Sequence, residues 1–165
     1  MCINSFNENH KFMRYIYILL LAVLFTIVPV ATVSAQRNRA SVESKTIKLN
    51  KKEFLKKVAD FEKSPSQWKY LGDKPAIIDF YADWCGPCRR LAPLLDELAL
   101  EYENKIYIYK VNVDNEKEIA ETFGITSLPT IVFVPLEGNP SAGTGFLPKE
   151  VLKKAINDIL LKPSK

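Results

Sequence analysis

Residues 75–93 read PAIIDFYADWCGPCRRLAP, and this stretch decides the fold. Its first part, residues 76–82, is a run of apolar, β-branched and aromatic residues that a single charge, Asp79, interrupts, which is typical of a strand buried on both faces. Beyond Asp83 the apolar residues recur with helical spacing, at Leu91, Leu94, Leu95, Leu98, Ala99 and Tyr102. The stretch therefore predicts a central strand that leads directly into an amphipathic helix.

Two cysteines lie at the predicted junction between this strand and this helix. The first turn of a helix has unpaired N–H groups and the positive end of the helix dipole, and both stabilise a thiolate relative to a thiol. Cys85 is therefore the expected nucleophile, and Cys88, one helical turn further on, is close enough to form a disulfide with it. Gly86 relieves crowding at the turn, and Pro87 fixes φ where a helix leaves its first N–H groups unpaired.

The motif W-C-G-P-C at residues 84–88, with an aspartate six positions before the first cysteine, closely resembles the active site of the thioredoxin family. The resemblance extends over residues 45–162 and includes four further landmarks: Pro93 in the active-site helix, Lys110 at the end of the next strand, the loop 126–130 and the late glycine Gly145. It implies the thioredoxin fold, an α/β architecture in which helices sandwich a mixed central β-sheet. It also implies thiol–disulfide oxidoreductase activity.

The rest of the chain predicts the same class of fold. Further strands are predicted at residues 46–49, 106–113, 130–135 and 143–146. Asn50 is expected to cap a helix with a buried stripe of Phe54, Leu55, Val58 and Phe61, and two more helices are predicted at residues 116–123 and 148–161. The last of these is expected to bury Val151, Leu152, Ala155, Ile156, Ile159 and Leu160. Strands separated by helices indicate an α/β sandwich, and the tight turn between the last two strands indicates a mixed sheet.

The N-terminal part of the chain predicts export. Residues 15–33 are almost wholly apolar, follow Lys11 and Arg14, and end at the small-residue sequence V-S-A of residues 33–35, which is typical of the cleavage site of a secretory signal peptide. The same apolar stretch is long enough to span a bilayer, so an uncleaved membrane anchor stays open as the alternative.

Three regions follow from this pattern. Residues 1–35 are the predicted leader, the polar residues 36–44 a linker, and residues 45–162 the domain. With either kind of leader we expect the domain outside the cytoplasm, in the periplasm. Of the three cysteines in the chain, one lies in the leader and the other two share the C-x-x-C motif. The domain therefore has no framework of structural disulfides, and its two cysteines serve chemistry.

Asp79 is the one charge within the predicted central strand. The apolar residues on both sides favour burial over a strand-end carboxylate in contact with water, and burial raises the pKa of a carboxyl group toward neutrality. A buried Asp79 is then a proton acceptor for a cysteine thiol. In the thioredoxin family a buried lysine stands at the spacing of Lys110, so the resemblance implies that Lys110 is the partner of Asp79 rather than a surface lysine.

The resemblance also implies a substrate-binding surface around the disulfide. In the family, the loop that matches residues 126–130 has a cis peptide bond before its proline, here Pro129, and faces the disulfide. The backbone of Leu128 is then free to pair with an extended substrate, and Gly145 faces the active site. The remaining expected contacts lie beside the cysteines: Trp84, Gly86 and Pro87. For Trp84, packing against the active turn is an equal alternative to a role in substrate docking.

These residues predict thiol–disulfide exchange. The Cys85 thiolate attacks a substrate disulfide to form a mixed disulfide, and Cys88, deprotonated with help from Asp79, attacks Cys85 and releases the reduced substrate. Reduction is the expected direction, because Gly-Pro is the dipeptide found between the cysteines of thioredoxin. An exported disulfide oxidase or isomerase stays open as an alternative, as does a non-catalytic module that holds peptides or senses redox state.

The redox-active disulfide Cys85–Cys88 needs no metal, flavin or nucleotide, so no further cofactor is expected. A structural zinc site takes four ligands, and the predicted exported part has neither a histidine nor a third cysteine. Haem attachment requires a histidine where Arg89 stands. The near balance of 23 basic and 19 acidic residues gives no reason to propose a nucleic acid partner. The expected partners of a monomeric protein are disulfide-containing exported proteins and a membrane-embedded electron donor.

Overall fold

The computed structural model describes residues 44–162, together with residues 13, 14 and 16. Every element discussed below belongs to the unit that spans Val42–Lys165. The predicted leader, apart from those three residues, and most of the predicted linker lie outside the described residues. Among the residues that the structure describes, no helix is long and apolar enough to cross a membrane.

The described residues form a five-stranded mixed sheet. Its strands are β1 (Ile47–Lys48), β2 (Ala76–Tyr81), β3 (Tyr107–Asn112), β4 (Thr130–Val134) and β5 (Ser141–Thr144), in the order β1-β3-β2-β4-β5. Strands β1, β3 and β2 are parallel, whereas β4 is antiparallel to β2 and β5 is antiparallel to β4. The predicted α/β fold with a mixed central sheet is confirmed, and β2 lies at its centre.

Four α-helices within residues 44–162 cover this sheet: α1 (Lys51–Lys57), α2 (Gly86–Glu101), α3 (Lys117–Thr122) and α4 (Lys149–Ala155), which continues into a π-helical turn, Ile156–Leu160. Asn50 begins α1 as expected. Its side chain accepts a hydrogen bond of 2.9 Å from the backbone N–H of Glu53, and its own N–H donates one of 3.3 Å to the Glu53 carboxylate. This reciprocal capping box satisfies two N–H groups that a helix end leaves unpaired.

The two faces of the sheet carry separate apolar cores. On one face, side chains of the sheet pack against α2, α4 and the π-helical turn; this core includes Ile77, Ile108, Ile131, Leu91, Leu95, Leu98, Leu152 and Ile156. On the other face they pack against α1 and α3, in a core that includes Ile78, Phe80, Val111, Val132, Val134, Phe54 and Ile119. Side chains alternate along a strand, so Asp79 and Tyr81 share the face of Ile77, which is the face that α2 covers.

The buried side of the last helical segment is narrower than predicted. Val151 is 47% exposed and Ile159 is 37% exposed, so the prediction that both are buried is wrong. The residues that are buried form a single row with a spacing of four: Leu152, Ile156 and Leu160. In the π-helical turn the N–H of Leu161 bonds to the carbonyl of Ile156, five residues earlier. This wider turn moves Ile159 out of the stripe that a regular α-helix would bury.

Smaller differences concern the edges of the predicted elements. The last strand spans Ser141–Thr144 instead of residues 143–146, because Thr144 pairs with Thr130 and the chain turns at Gly145, which has a φ of 82°. Four residues predicted within buried stripes are only half-buried: Leu55, Phe61, Leu94 and Ala155. Phe61 lies in the turn after α1 rather than within the helix, because α1 ends at Lys57.

Candidate active site

The active turn joins the carboxyl end of β2 to the amino end of α2. Cys85 is the N-cap of α2, and its backbone N–H donates a hydrogen bond of 3.1 Å to the carbonyl of Ala82. Gly86 and Pro87 are the first two helical residues, so the N–H that proline lacks is one that the first turn would leave unpaired. The local sequence thus fixes the position of both cysteines through backbone geometry.

Cys85 and Cys88 form a disulfide with an S–S distance of 2.07 Å. The Cys85 sulfur also accepts a hydrogen bond of 3.2 Å from the backbone N–H of Cys88. Both residues are buried, and they pack with Ala82 and with the half-buried side chains of Tyr81, Val113 and Leu128. An N–H of the first helical turn and the positive end of the helix dipole stabilise a thiolate at this position when the disulfide is reduced.

Asp79 and Lys110 form a buried ion pair beneath this turn. The two residues are opposite one another on the parallel strands β2 and β3, and Lys110 Nζ lies 2.8 Å from Asp79 Oδ2. Asp79 is fully buried, and its other oxygen, Oδ1, has no hydrogen-bond partner among the described residues. Burial raises the pKa of the Asp79 carboxyl, and this effect exceeds the opposing attraction to the Lys110 ammonium. The site therefore contains a carboxylate that binds a proton more readily than an ordinary aspartate.

The loop before β4 lies against the disulfide. The peptide bond between Leu128 and Pro129 is cis, and the side chain of Leu128 packs on the cysteines. The N–H of Gly145 donates a hydrogen bond of 2.8 Å to the carbonyl of Pro129, which places Gly145 beside this loop. Within residues 44–162, the backbone N–H and C=O of Leu128 make no hydrogen bond. These two groups are available to another chain.

Trp84 stands on the surface beside the disulfide, with 69% of its area exposed. Its indole N–H donates a hydrogen bond of 3.0 Å to the Asp114 carboxylate, which holds the ring in one orientation. Of the two interpretations open from the sequence, the exposed position favours a rim aromatic over packing beneath the turn. Such a ring offers apolar area to a docked substrate.

A polar network that sequence reasoning missed supports the active turn. Asn112 donates a hydrogen bond of 3.2 Å to the Asp83 carboxylate and accepts one of 2.9 Å from the backbone N–H of Asp114. Arg89 donates one of 3.0 Å to the carbonyl of Asp83. One signal was available: Asn112 ends β3 and Asp114 lies two residues on, at the carboxyl edge of the sheet where functional polar residues of parallel strands lie.

No group of three or more histidine, cysteine, aspartate or glutamate residues within the described parts of the chain could hold a metal ion. The described site brings together two sulfurs, a buried carboxylate and an ammonium group.

Comparison with known proteins agrees with the resemblance described from the sequence. The thioredoxin family model matches residues 45–158. Thioredoxin of Borreliella burgdorferi is 46% identical over 112 residues, which cover 68% of this chain and 95% of that protein. The M-type chloroplastic thioredoxin of Spinacia oleracea is 39% identical over 111 residues, which cover 66% of this chain and 60% of that protein. Among solved structures, chloroplastic thioredoxin z matches with a TM-score of 0.57 and 27% identity, over 70% of this chain and 94% of that one.

The arrangement of the sulfurs predicts a division of labour between the cysteines. Because the Cys85 sulfur is the one that accepts a helix N–H, we expect Cys88→Ser to accumulate a mixed disulfide through Cys85 when it is mixed with a disulfide substrate. Mass spectrometry of the unreduced protein identifies the modified residue. The matched control is Cys85→Ser, for which we expect little adduct; stable adducts mainly on Cys88 in that variant would contradict the assignment.

The burial of Asp79 predicts effects of opposite sign on rate and stability. Asp79→Asn should slow turnover at pH 7 by up to about 100-fold, the lower end of what a positioned proton acceptor contributes. Because the folded-state pKa of Asp79 is raised, the wild type loses stability as pH rises from about 4 through that pKa, whereas the variant does not.

Urea denaturation across this pH range measures the second effect. The stability of Asp79→Asn relative to the wild type should increase with pH. Asp96→Asn is the matched control, since Asp96 accepts hydrogen bonds from Ser44 and Thr46 that an asparagine oxygen can also accept. Identical pH dependence for Asp79→Asn and the wild type would show that burial does not raise the pKa of the Asp79 carboxyl.

Proposed function

The chain belongs to the thioredoxin family and is a protein-disulfide reductase with the redox-active pair Cys85–Cys88, and we propose that its substrates are exported proteins. The observation that carries the catalytic part is the disulfide at the start of α2, above the buried ion pair of Asp79 and Lys110. The proposal of an exported substrate is supported by the apolar stretch at residues 15–33 and the small residues that follow it.

Each catalytic cycle transfers two electrons and two protons to one substrate disulfide. The Cys85 thiolate attacks one substrate sulfur, a mixed disulfide forms, and the other substrate sulfur leaves as a thiolate that takes up a proton. Asp79 accepts the proton of Cys88, directly or through water, and the resulting Cys88 thiolate attacks the Cys85 sulfur. The Cys85–Cys88 disulfide forms, and the second substrate sulfur leaves reduced.

Extended backbone is the substrate shape that fits the surface around the cysteines. The free N–H and C=O of Leu128 pair with a substrate strand, in the manner of an added β-strand, beside the disulfide. Trp84 contributes the exposed apolar contact, while Gly86, Pro87 and Gly145 leave room for the substrate backbone to approach. Recognition through backbone groups gives little selectivity for sequence, which suits a reductase with many protein substrates.

A reductase outside the cytoplasm requires a supply of electrons, because every turnover leaves the Cys85–Cys88 pair oxidised. We place that supply in a membrane-embedded electron donor, and the protein in the periplasm, either free after cleavage near Ala35 or tethered by its leader. All the residues of the proposed cycle belong to one chain, so the unit of function is a monomer. A non-catalytic holding or sensing module is less well supported, since it needs neither Cys88 nor Asp79 in these positions.

The direction of the reaction gives a prediction. Because the dipeptide between the cysteines is that of thioredoxin, we expect a reduction potential near about −270 mV, well below the value of about −120 mV of a strong periplasmic oxidant. Equilibration with glutathione buffers, read by the masses of the alkylated forms, measures it. A potential above about −180 mV would identify an oxidase or isomerase on the same scaffold instead.

The location gives a second prediction. N-terminal sequencing of the protein from its native host should begin at Gln36, since residues 33–35 end in small residues. Fractionation of the same cells is the companion measurement. Full-length chain in the membrane fraction would show the anchor form, and full-length chain in the cytoplasm would contradict the proposed substrates.

A further inference from the structure

Tyr81 contacts both the cysteine pair and the ion pair of Asp79 and Lys110, through the ammonium of Lys110. Neither the sequence pattern nor the resemblance to thioredoxins singles it out. It is the last residue of β2, two positions after Asp79, and therefore lies on the same face of the sheet as the carboxylate. Its ring packs against the cluster of Ala82, Cys85 and Cys88. The ammonium of Lys110 lies 4.7 Å from the centroid of this ring.

The surroundings of Lys110 make this contact important. Its side chain is only 10% exposed, and one of its three N–H groups is directed at Asp79 Oδ2. The face of an aromatic ring carries a partial negative charge, and it attracts a cation more strongly where water is largely excluded. The Tyr81 ring therefore supplies a second favourable contact to an ammonium whose one hydrogen bond within residues 44–162 is to Asp79.

We propose that Tyr81 is a positioning residue, whose ring holds the Lys110 ammonium against Asp79 and thereby sets how readily Asp79 accepts the proton of Cys88. The proposal rests on the proposed role of Asp79 in the catalytic cycle. The backbone of Tyr81 is fixed by the sheet, because its carbonyl accepts a hydrogen bond of 2.9 Å from the N–H of Val113, and its side chain packs against the cluster of Ala82, Cys85 and Cys88. The hydroxyl makes no hydrogen bond within residues 44–162, so the ring face alone carries the effect.

The groups that can influence Asp79 come from each element around it. Strand β3 contributes Lys110, and strand β2 contributes Tyr81. Strand β4 places the apolar Ile131 opposite Asp79, and helix α2 contributes the two cysteines, which pack on Tyr81. Lys110 is the one charged group whose attraction acts on Asp79. If the ring is removed, the ammonium is free to turn toward solvent, and the carboxylate becomes harder to ionise.

The reaction of the reduced protein with a symmetrical aryl disulfide, whose released thiolate is coloured, separates the two chemical steps. The first thiolate appears when Cys85 attacks, and the second when Cys88 resolves the mixed disulfide. The first phase, in which Asp79 takes no part, is the internal control. The pH midpoint of the second phase reports the ionisation that Asp79 governs.

We expect Tyr81→Leu to raise this midpoint by about half a pH unit, a threefold change in the ionised fraction, and Lys110→Met to raise it by about one unit. Tyr81→Phe, which keeps the ring, should restore the wild-type midpoint. A fluorinated phenylalanine at position 81 keeps the size of the ring but withdraws charge from its face, and should behave like Tyr81→Leu. This last variant preserves the packing, so it tests the inference even if Tyr81→Leu folds poorly.

The double variant Tyr81→Leu/Lys110→Met decides whether Tyr81 acts through Lys110. We expect the midpoint of Lys110→Met alone, because the ring has no ammonium left to hold. Additive shifts, or equal midpoints for phenylalanine and its fluorinated form, would overturn the inference while leaving the role of Asp79 intact. If Asp79→Asn has the wild-type midpoint, the proton-acceptor role fails, and the inference about Tyr81 fails with it.

Discussion

The position of β2 is the constraint on which the rest of the structure depends. This strand pairs with β3 on one edge and β4 on the other, and helices cover both of its faces, so neither a backbone group nor a side chain of its centre reaches water. Its side chains alternate between two apolar cores, which fixes its register against both neighbours. Because β2 cannot shift, the turn that follows it and the first residues of α2 are held in place as well.

Burial of the Asp79 carboxyl destabilises the fold when the group is ionised, and the same burial raises its pKa. An ionised carboxylate in an apolar interior is destabilising, and the attraction to a buried partner such as Lys110 offsets only part of that cost. An apolar residue in its place would fit the pattern of Ile77 and Ile78 better. A strand that is otherwise buried and apolar thus contains one acid, at the position of the proposed proton acceptor for the cysteine pair.

The sequence predicted the fold and the centre of the site because both depend on local patterns. The apolar run of β2, the helical spacing after Asp83 and the C-x-x-C between them each act over a few residues, and the resemblance added Lys110 and the loop of Pro129. The support given by Asn112 to Asp83 and Asp114 was missed, because these residues come together only when β3 lies beside the active turn. The exposure of Ile159 was missed because the change from an α-helical to a π-helical turn leaves no periodic signal in five residues.

The disulfide of this domain is free to serve chemistry because the fold does not rely on it. Cross-links stabilise mainly by restricting the unfolded chain, by roughly 3–5 kcal/mol for loops of 15 to 100 residues and by less for shorter ones. Cys85 and Cys88 are three residues apart, within one helical turn, so their bond restricts the unfolded chain very little. Stability comes instead from the two apolar cores on either side of the sheet. The balance between dithiol and disulfide therefore depends on the local environment of the two sulfurs, such as the helix N–H that donates to the Cys85 sulfur, and changes there leave the two cores intact.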